Sequence, residues 1–395
     1  MPKFENSQYA KLWDSSEGRL ILSKILANPD LIRANHMFWA SKFRIDLSLT
    51  PTDEQGRATF ISEMREQKQG HLMDMRAPMS HNTQIEKGGL KYYTGVIPSF
   101  SPKQYRETAS EREYKEKLFE QFGDASLIAE YATETLQYFV DSGNQTLSRM
   151  SAQLLSDGKI VVDWGEGIKG GVLKADIPAE NFIKGGTAAW TDTNFALLDR
   201  LREIVEKLKL RWGLTTAWQL EISRDKFNNT FLKNKQVIDW IKLQYQLKNN
   251  FMVIDNTNVP SAVVTTEYAL ECLKSFDGLP VISIIDEKEN DINLGTVSGW
   301  VAKNAVIRPL GYAGYIRRSE IIERNMYTKY GNNTIKKTFA YAMQNLGLVI
   351  NTELNNGELK EWQSEFVMNA IPSLDEFLMH YIIDTTDGTK SGDDF

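Results

Sequence analysis

Six residues of this chain have the spacing of a phosphate cradle. Gly165-Glu166-Gly167-Ile168-Lys169-Gly170 reads G-x-G-x-x-G and follows a β-branched run, Ile160-Val161-Val162. In a dinucleotide site such glycines end a strand and open a helix, whose first amides meet the pyrophosphate. Here the continuation is Gly171-Val172-Leu173-Lys174-Ala175-Asp176-Ile177-Pro178, which has the character of strand and turn. A flexible glycine turn is therefore the preferred reading. A nucleotide-binding enzyme of mixed α/β type is the rival.

The other reactive residue types are scattered. The single cysteine, Cys272, lies in Tyr268-Ala269-Leu270-Glu271-Cys272-Leu273, a helical pattern in which a thiol packs as a small hydrophobe. The four histidines, His36, His71, His81 and His380, show no H-E-x-x-H spacing and no paired Cys, so no metal site is expected. A P-loop and a serine nucleophile elbow are both absent. The expectation is a chain with no catalytic residue, no cofactor and no metal, hence not an enzyme.

Composition points the same way. With 395 residues, 42% hydrophobic and 25% charged, the chain has material for two or three domains. Its formal charge is −6, with 46 bases interspersed among 52 acids. Nucleic-acid affinity comes mainly from clustered cations that release counterions, so tight general DNA binding is not expected. The start, Met1-Pro2-Lys3-Phe4-Glu5-Asn6, lacks the apolar run of a signal peptide. No stretch approaches the ~18 apolar residues of a membrane span. One cysteine fits a reducing compartment. The expected setting is cytosol, with no membrane association.

The elements that would position any surface come next. Tyr9 to Leu31 is amphipathic and stops at Asn28-Pro29. Phe43-Arg44-Ile45-Asp46-Leu47-Ser48-Leu49 alternates as a half-exposed strand does. His71 to Met79 and Leu90 to Ile97 read as the arms of a long hairpin, with a polar tip from Met79 to Gly89. A two-stranded ribbon is marginal alone in water and needs support. The chain offers no obvious local sheet, so a neighbouring subunit is the expected support and the tip an expected clasp. Aromatics of the hairpin base, Tyr92 and Tyr93, are candidate interface anchors.

Ser126 to Leu155 predicts a long helix with a thin apolar stripe, suited to a strut, with Gly143 as a candidate bend and Gly158 as its stop. Ile160 to Trp164 is a strand. From Asp192, a candidate cap, a helix follows with inner face Leu197, Leu198, Leu201, Ile204, Val205, Leu208 and Trp212, closed by Gly213. Ala217 to Ile222 is a strand, Ser223 caps a helix, and Glu267 to Phe276 is another helix. Pro280 to Asp286 predicts a buried strand, Glu287 to Asp291 a charged turn or loop, and Ala305 to Leu310 a further strand. Thr338 to Val349, Trp362 to Met368 and Phe377 to Ile383 return to sheet, before a polar acidic tail from Thr385. Helix and strand alternate without a repeated unit, which predicts an α+β or mixed α/β class, α+β being preferred.

Five segments in this order resemble the major capsid proteins of tailed bacteriophages, on the lambda-like branch of the Hong Kong 97-type fold. They are Leu90-Lys91-Tyr92-Tyr93-Thr94-Gly95-Val96-Ile97-Pro98; Met150 to Ile160 with Val161-Val162-Asp163-Trp164-Gly165; Leu220 to Phe227 with Leu232-Lys233-Asn234; Leu279-Pro280-Val281-Ile282 with Ala305 to Gly311; and Asn369 to Phe377. The likeness spans about residues 40 to 384.

The resemblance implies an N-terminal arm (1–60), an extended β-hairpin loop (61–100), a peripheral domain with a long spine helix (101–180), an inserted axial domain (181–335), and a return to the peripheral domain with a C-terminal tail (336–395). It implies a late structural protein of the virion that self-assembles into hexamers and pentamers. These would form an icosahedral head enclosing double-stranded DNA without sequence-specific binding. Assembly would take place in the bacterial host cytoplasm, with scaffold, portal and decoration proteins as possible partners. An encapsulin-type nanocompartment shell protein is the alternative within the same fold.

Overall fold

The computed structural model describes residues 38–52, 57–65, 90–102, 105–106, 110–111, 113–114, 117, 125–162, 170–248, 265–291, 295–321, 337–356 and 359–386. The amphipathic segment from Tyr9, the arm His71 to Met79, the tip to Gly89, most of the glycine motif, His36 and the last nine residues lie outside them.

In chain order, helix α1 (Phe38–Lys42) runs into strand β1 (Phe43–Thr50), then β2 (Ala58–Arg65), β3 (Leu90–Ile97) and the short β4 (Tyr105–Arg106). The long helix α2 (Ala125–Asp157) is followed by β5 (Lys159–Val162), β6 (Gly170–Lys174) and β7 (Phe182–Lys184). Next come α3 (Leu197–Trp212), β8 (Trp218–Ser223), α4 (Arg224–Thr230), α5 (Lys235–Lys248) and α6 (Thr266–Leu273). Strands β9 (Val281–Ile285), β10 (Glu289–Asp291), β11 (Gly295–Val297), β12 (Asn304–Pro309) and β13 (Gly314–Ser319) follow. The chain closes with β14 (Lys337–Ala342), β15 (Gly347–Asn356), β16 (Leu359–Met368), β17 (Ala370–Leu374) and β18 (Tyr381–Asp384). The class is α+β, the first of the two that the pattern allows. No described helix is long and apolar enough to cross a membrane.

The 33 residues of α2 form a rod of roughly 50 Å. It stops at Gly158, whose φ of 69° only glycine adopts freely and whose N–H donates to the Leu154 carbonyl at 3.0 Å. One expectation changes here, and one glycine gains a role. Phe139, Leu147, Met150, Leu154 and Leu155 are fully buried, so the helix is a core element as well as a strut. Gly143 serves a close approach: a Cβ there would stand 2.5 Å from Met343 Sδ.

Two compact units emerge, each assembled from three stretches of chain. One comprises 1–60, 95–150 and 315–372. Its four-stranded antiparallel sheet has the order β14-β15-β16-β4. In it Gly347–Asn356 pairs residue for residue with Leu359–Met368. Phe139 stacks on Phe366 at 6.0 Å, and Gly347 leaves room for that ring, since a Cβ would come within 2.3 Å of it. A second sheet has the order β1-β13-β17.

The other unit comprises 61–94, 151–314 and 373–395. Its centre is a mixed sheet of order β7-β18-β12-β8-β9. The interior strand β12 is buried at every position, whereas β9 lies at the edge with Val281 half exposed, so the buried strand expected there is corrected to an edge strand. All seven residues of the expected inner face of α3 are buried. Its first turn is not capped by Asp192, which instead accepts from the Asn194 amide; the Gln236 side chain accepts from Leu198 N at 2.9 Å. Ser223 caps α4 as expected. The charged stretch after Asp286 holds a small hairpin, β10 with β11, where a turn or loop is the expectation.

Candidate assembly surfaces and a buried charge cluster

Strands β2 and β3 form a two-stranded ribbon with one dry and one wet face. Period-two alternation buries Tyr93 and Ser62 while Leu90, Tyr92 and Ile61 stand in solvent, Tyr92 being 60% exposed. The dry side is held by the chain itself. Ser62 Oγ and Tyr93 Oη both donate to the Leu374 carbonyl, at 2.7 and 2.8 Å. The Tyr93 ring meets Phe377 edge-on at 5.2 Å. The partner of β3 here is β2, while the expected arm His71 to Met79 lies outside the described residues; for β3 itself, local support replaces the expected reliance on a neighbouring subunit. It also divides the two candidate anchors: Tyr93 is internal and Tyr92 faces outward.

Strand β1 is the edge of its sheet and carries Leu47, 85% exposed, and Leu49. An ion pair fastens it, Arg317 Nη1 donating to Asp46 Oδ2 at 2.6 Å. The same guanidinium lies over the rings of Phe60 and Tyr315. Burial works against the Asp46 charge, but hydrogen bonds from Ser48 and Arg317 outweigh it and keep the carboxyl below its usual range. Just before β1, Trp39 is buried and its Nε1 donates to Asn144 Oδ1.

A buried charge cluster lies in the central mixed sheet, and it was not expected from sequence. Glu221 on β8 and Arg308 on β12 are fully and almost fully buried, joined by two hydrogen bonds of 3.0 and 3.1 Å. Arg308 Nη1 also donates to the Gly311 carbonyl at 2.8 Å. In the orientation its neighbours favour, the Gln219 amide oxygen accepts from the same guanidinium. A sequence signal existed: one acid and one base of opposite sign, each alone inside an apolar strand. Every donor here faces a protein acceptor, so the cluster is a pin between strands.

The remaining reactive groups are also absorbed by the fold. His380 is buried, with Nε2 2.7 Å from the Leu155 carbonyl. Burial pushes its pKa down to about 4, and the ring is neutral at pH 7. Cys272 is buried and free, and burial pushes its thiol up, away from thiolate. After the glycine motif, Gly170–Lys174 is strand β6, antiparallel to β5, where a dinucleotide site needs a helix. Among the described residues there is no cluster of three or more metal-ligating side chains.

Comparison with known proteins returns no matching family model and no matching curated protein. Solved structures do match. A prophage chain from E. coli CFT073 assigned as a capsid protein is 11% identical, covering 93% of this chain and 98% of its own, with a TM-score of 0.48. The capsid asymmetric unit of cyanophage A-1(L) is 11% identical over 93% and 99%, with a TM-score of 0.41. The capsid of Ralstonia phage GP4 is 12% identical over 90% and 92%, with a TM-score of 0.37.

Proposed function

We propose that this chain is a shell-forming subunit of the tailed-phage capsid type, assembling into hexamers and pentamers around double-stranded DNA, with no catalytic role. The observation that carries this reading is the presence of exposed apolar side chains on several separate elements at once. Ile61, Leu90 and Tyr92 stand on the ribbon, Leu47 and Leu49 on β1, and Leu243 and Leu247 on α5. Each of these elements buries another face in the monomer. Scattered single apolar residues are ordinary on a surface; sets that share an element mark contact sites.

A subunit that meets several copies needs several modest contacts. If each neighbour covers an interface of roughly 1,600 Å², only a small surplus remains after ordering and desolvation. Small surpluses let a misplaced subunit leave during growth, and a closed lattice still holds because every subunit is retained on all sides. The net charge of −6 fits DNA that is enclosed without adhering to the wall. Scaffold, portal and decoration proteins in the bacterial cytoplasm are the partners this reading calls for.

Sedimentation velocity with negative-stain imaging of the expressed full chain tests it. Rings or closed particles far above the mass of a 45.1 kDa monomer are expected. A homogeneous monomer at tens of micromolar that binds a nucleotide would overturn it.

A further inference from the structure

Strands β14 and β15 are joined by the turn Met343 to Leu346, since Ala342 pairs with Gly347 across it. Two residues of this turn occupy the left-handed region without being glycine. Met343 has a φ of 52° and Asn345 a φ of 69°. Asparagine enters that region readily, whereas a long apolar residue seldom does, because its Cβ crowds the following carbonyl.

Packing offsets the strain at Met343. Its side chain is 9% exposed and lies in a notch of α2. The notch exists because residue 143 is glycine: a Cβ there would stand 2.5 Å from Met343 Sδ and 3.2 Å from Phe366 Cε1. A methionine is flexible and would yield to such a Cβ, but yielding means leaving the notch. Phe366 forms one wall and is itself stacked on Phe139, one turn earlier in the same helix. Behind the side chain, the Leu346 amide donates to the Met343 carbonyl at 3.1 Å and closes the turn.

The helix is weakest where this side chain grips it. Ser142 Oγ donates to the Tyr138 carbonyl at 2.8 Å, and Thr146 Oγ1 to the Ser142 carbonyl at 2.7 Å. Such back-bonds compete with the amides of the helix and loosen it. Gly143, between them, lowers helix propensity further, and Ser-Gly pairs are common sites of kinks.

A left-handed methionine persists only where its surroundings over-determine it, and such places cluster at working parts of proteins. We propose that the Met343–Leu346 turn is a strain-loaded clip: it hooks the β14–β15 hairpin onto the weak point of α2 and is the first contact between that helix and its sheet to open. Seated, the thioether braces the helix at Gly143. Unseated, the turn relaxes to ordinary backbone angles and the soft point is uncovered. All of these residues belong to one compact unit, and the clip does not depend on the chain forming a shell.

Hydrogen exchange and thermal melting of the full chain test the clip. The variants are Met343→Ala, Met343→Gly, Gly143→Ala, and Gly143→Ala combined with Met343→Ala. In the parent, the Gly143–Leu147 amides should exchange ahead of those from Met150 to Leu155. Met343→Ala and Gly143→Ala should each speed exchange at Leu346 and at Gly143–Leu147 by roughly tenfold, although alanine is the better helix former at 143. The combined variant should lie nearer the parent than either single one, because the new methyl fills the space the methionine leaves. Met343→Gly should melt above Met343→Ala, since glycine sheds the left-handed penalty that alanine keeps. The reverse order of exchange along the parent helix, parental rates in either single variant, losses that add in the combined variant, or alanine melting above glycine at 343 each overturns the proposal. If Gly143→Ala prevents folding, the two variants at 343 decide the matter alone, because neither alters the helix.

Discussion

Arg308 and Glu221 face each other across two neighbouring strands, their guanidinium and carboxylate joined at 3.0 and 3.1 Å in a space closed to water. Val306 is the register partner of Glu221 and Gln219 that of Arg308, so the two charges meet diagonally. Neither group could remain charged there alone. Removing one partner strands the other, a loss of roughly 3–5 kcal/mol for a buried pair. Glu221→Ala or Arg308→Ala should therefore lower the denaturation midpoint sharply. Replacing both, as Glu221→Leu with Arg308→Met, should recover most of that loss. If either single variant unfolds like the parent, the pin assigned to this pair is absent.

Acid should weaken the fold through His380. Its folded pKa is depressed to about 4 by burial, below the ordinary histidine value of 6.5. The unfolded chain then binds a proton that the folded chain refuses, so stability is complete above pH 6.5 and declines as pH falls toward 4. The gap corresponds to about 3 kcal/mol at the acid limit. Asp384 adds a smaller effect of the same sign at lower pH. Burial opposes its charge, but hydrogen bonds from Lys303 and Thr386 hold it down to about 2. Urea titrations from pH 7 to 4 should show the decline, and His380→Gln should flatten its upper part. A parent whose stability is level across that range contradicts the assignment.

The ribbon should separate folding from assembly. Tyr93→Phe removes one hydroxyl from the Leu374 carbonyl and should cost about 1 kcal/mol. Tyr93→Ala also removes the ring against Phe377 and should cost roughly 3–5 kcal/mol. Tyr92→Ser, on the wet face, should leave the melting temperature within a degree or two and reduce the assembled fraction in sedimentation. An unchanged assembled fraction would take Tyr92 out of the contact surface.

Much of this was legible where the information is local. The face of α3 from Leu197 to Trp212, the helix stop at Gly158 and the Ser223 cap each follow from residues within a turn or two of one another. What escaped depends on residues far apart. The ribbon's acceptor, Leu374, is 312 residues from Ser62 and 281 from Tyr93. Arg308 and Glu221 are 87 apart, and no periodicity couples them. Asp192 was a plausible cap by type, yet Gln236, 38 residues beyond Leu198, occupies that position. The edge placement of β9 turns on which strands flank it, and a run of Val and Ile reads alike in either place.

The order of strands in the central sheet has a consequence for how the protein comes into being. Strand β18 sits between β7 and β12 and is supplied by residues 381–384, later in the sequence than every other strand of that sheet. Until that stretch leaves the ribosome, β7 and β12 have a gap where a strand belongs, and their open hydrogen-bonding edges are exposed to other nascent chains. The sheet can therefore close only after all of its other strands have been made, and its long-range pairing makes closure slow. Cells making this protein in quantity should depend on chaperones during that interval, and early termination anywhere before Tyr381 should yield insoluble material instead of a smaller working piece.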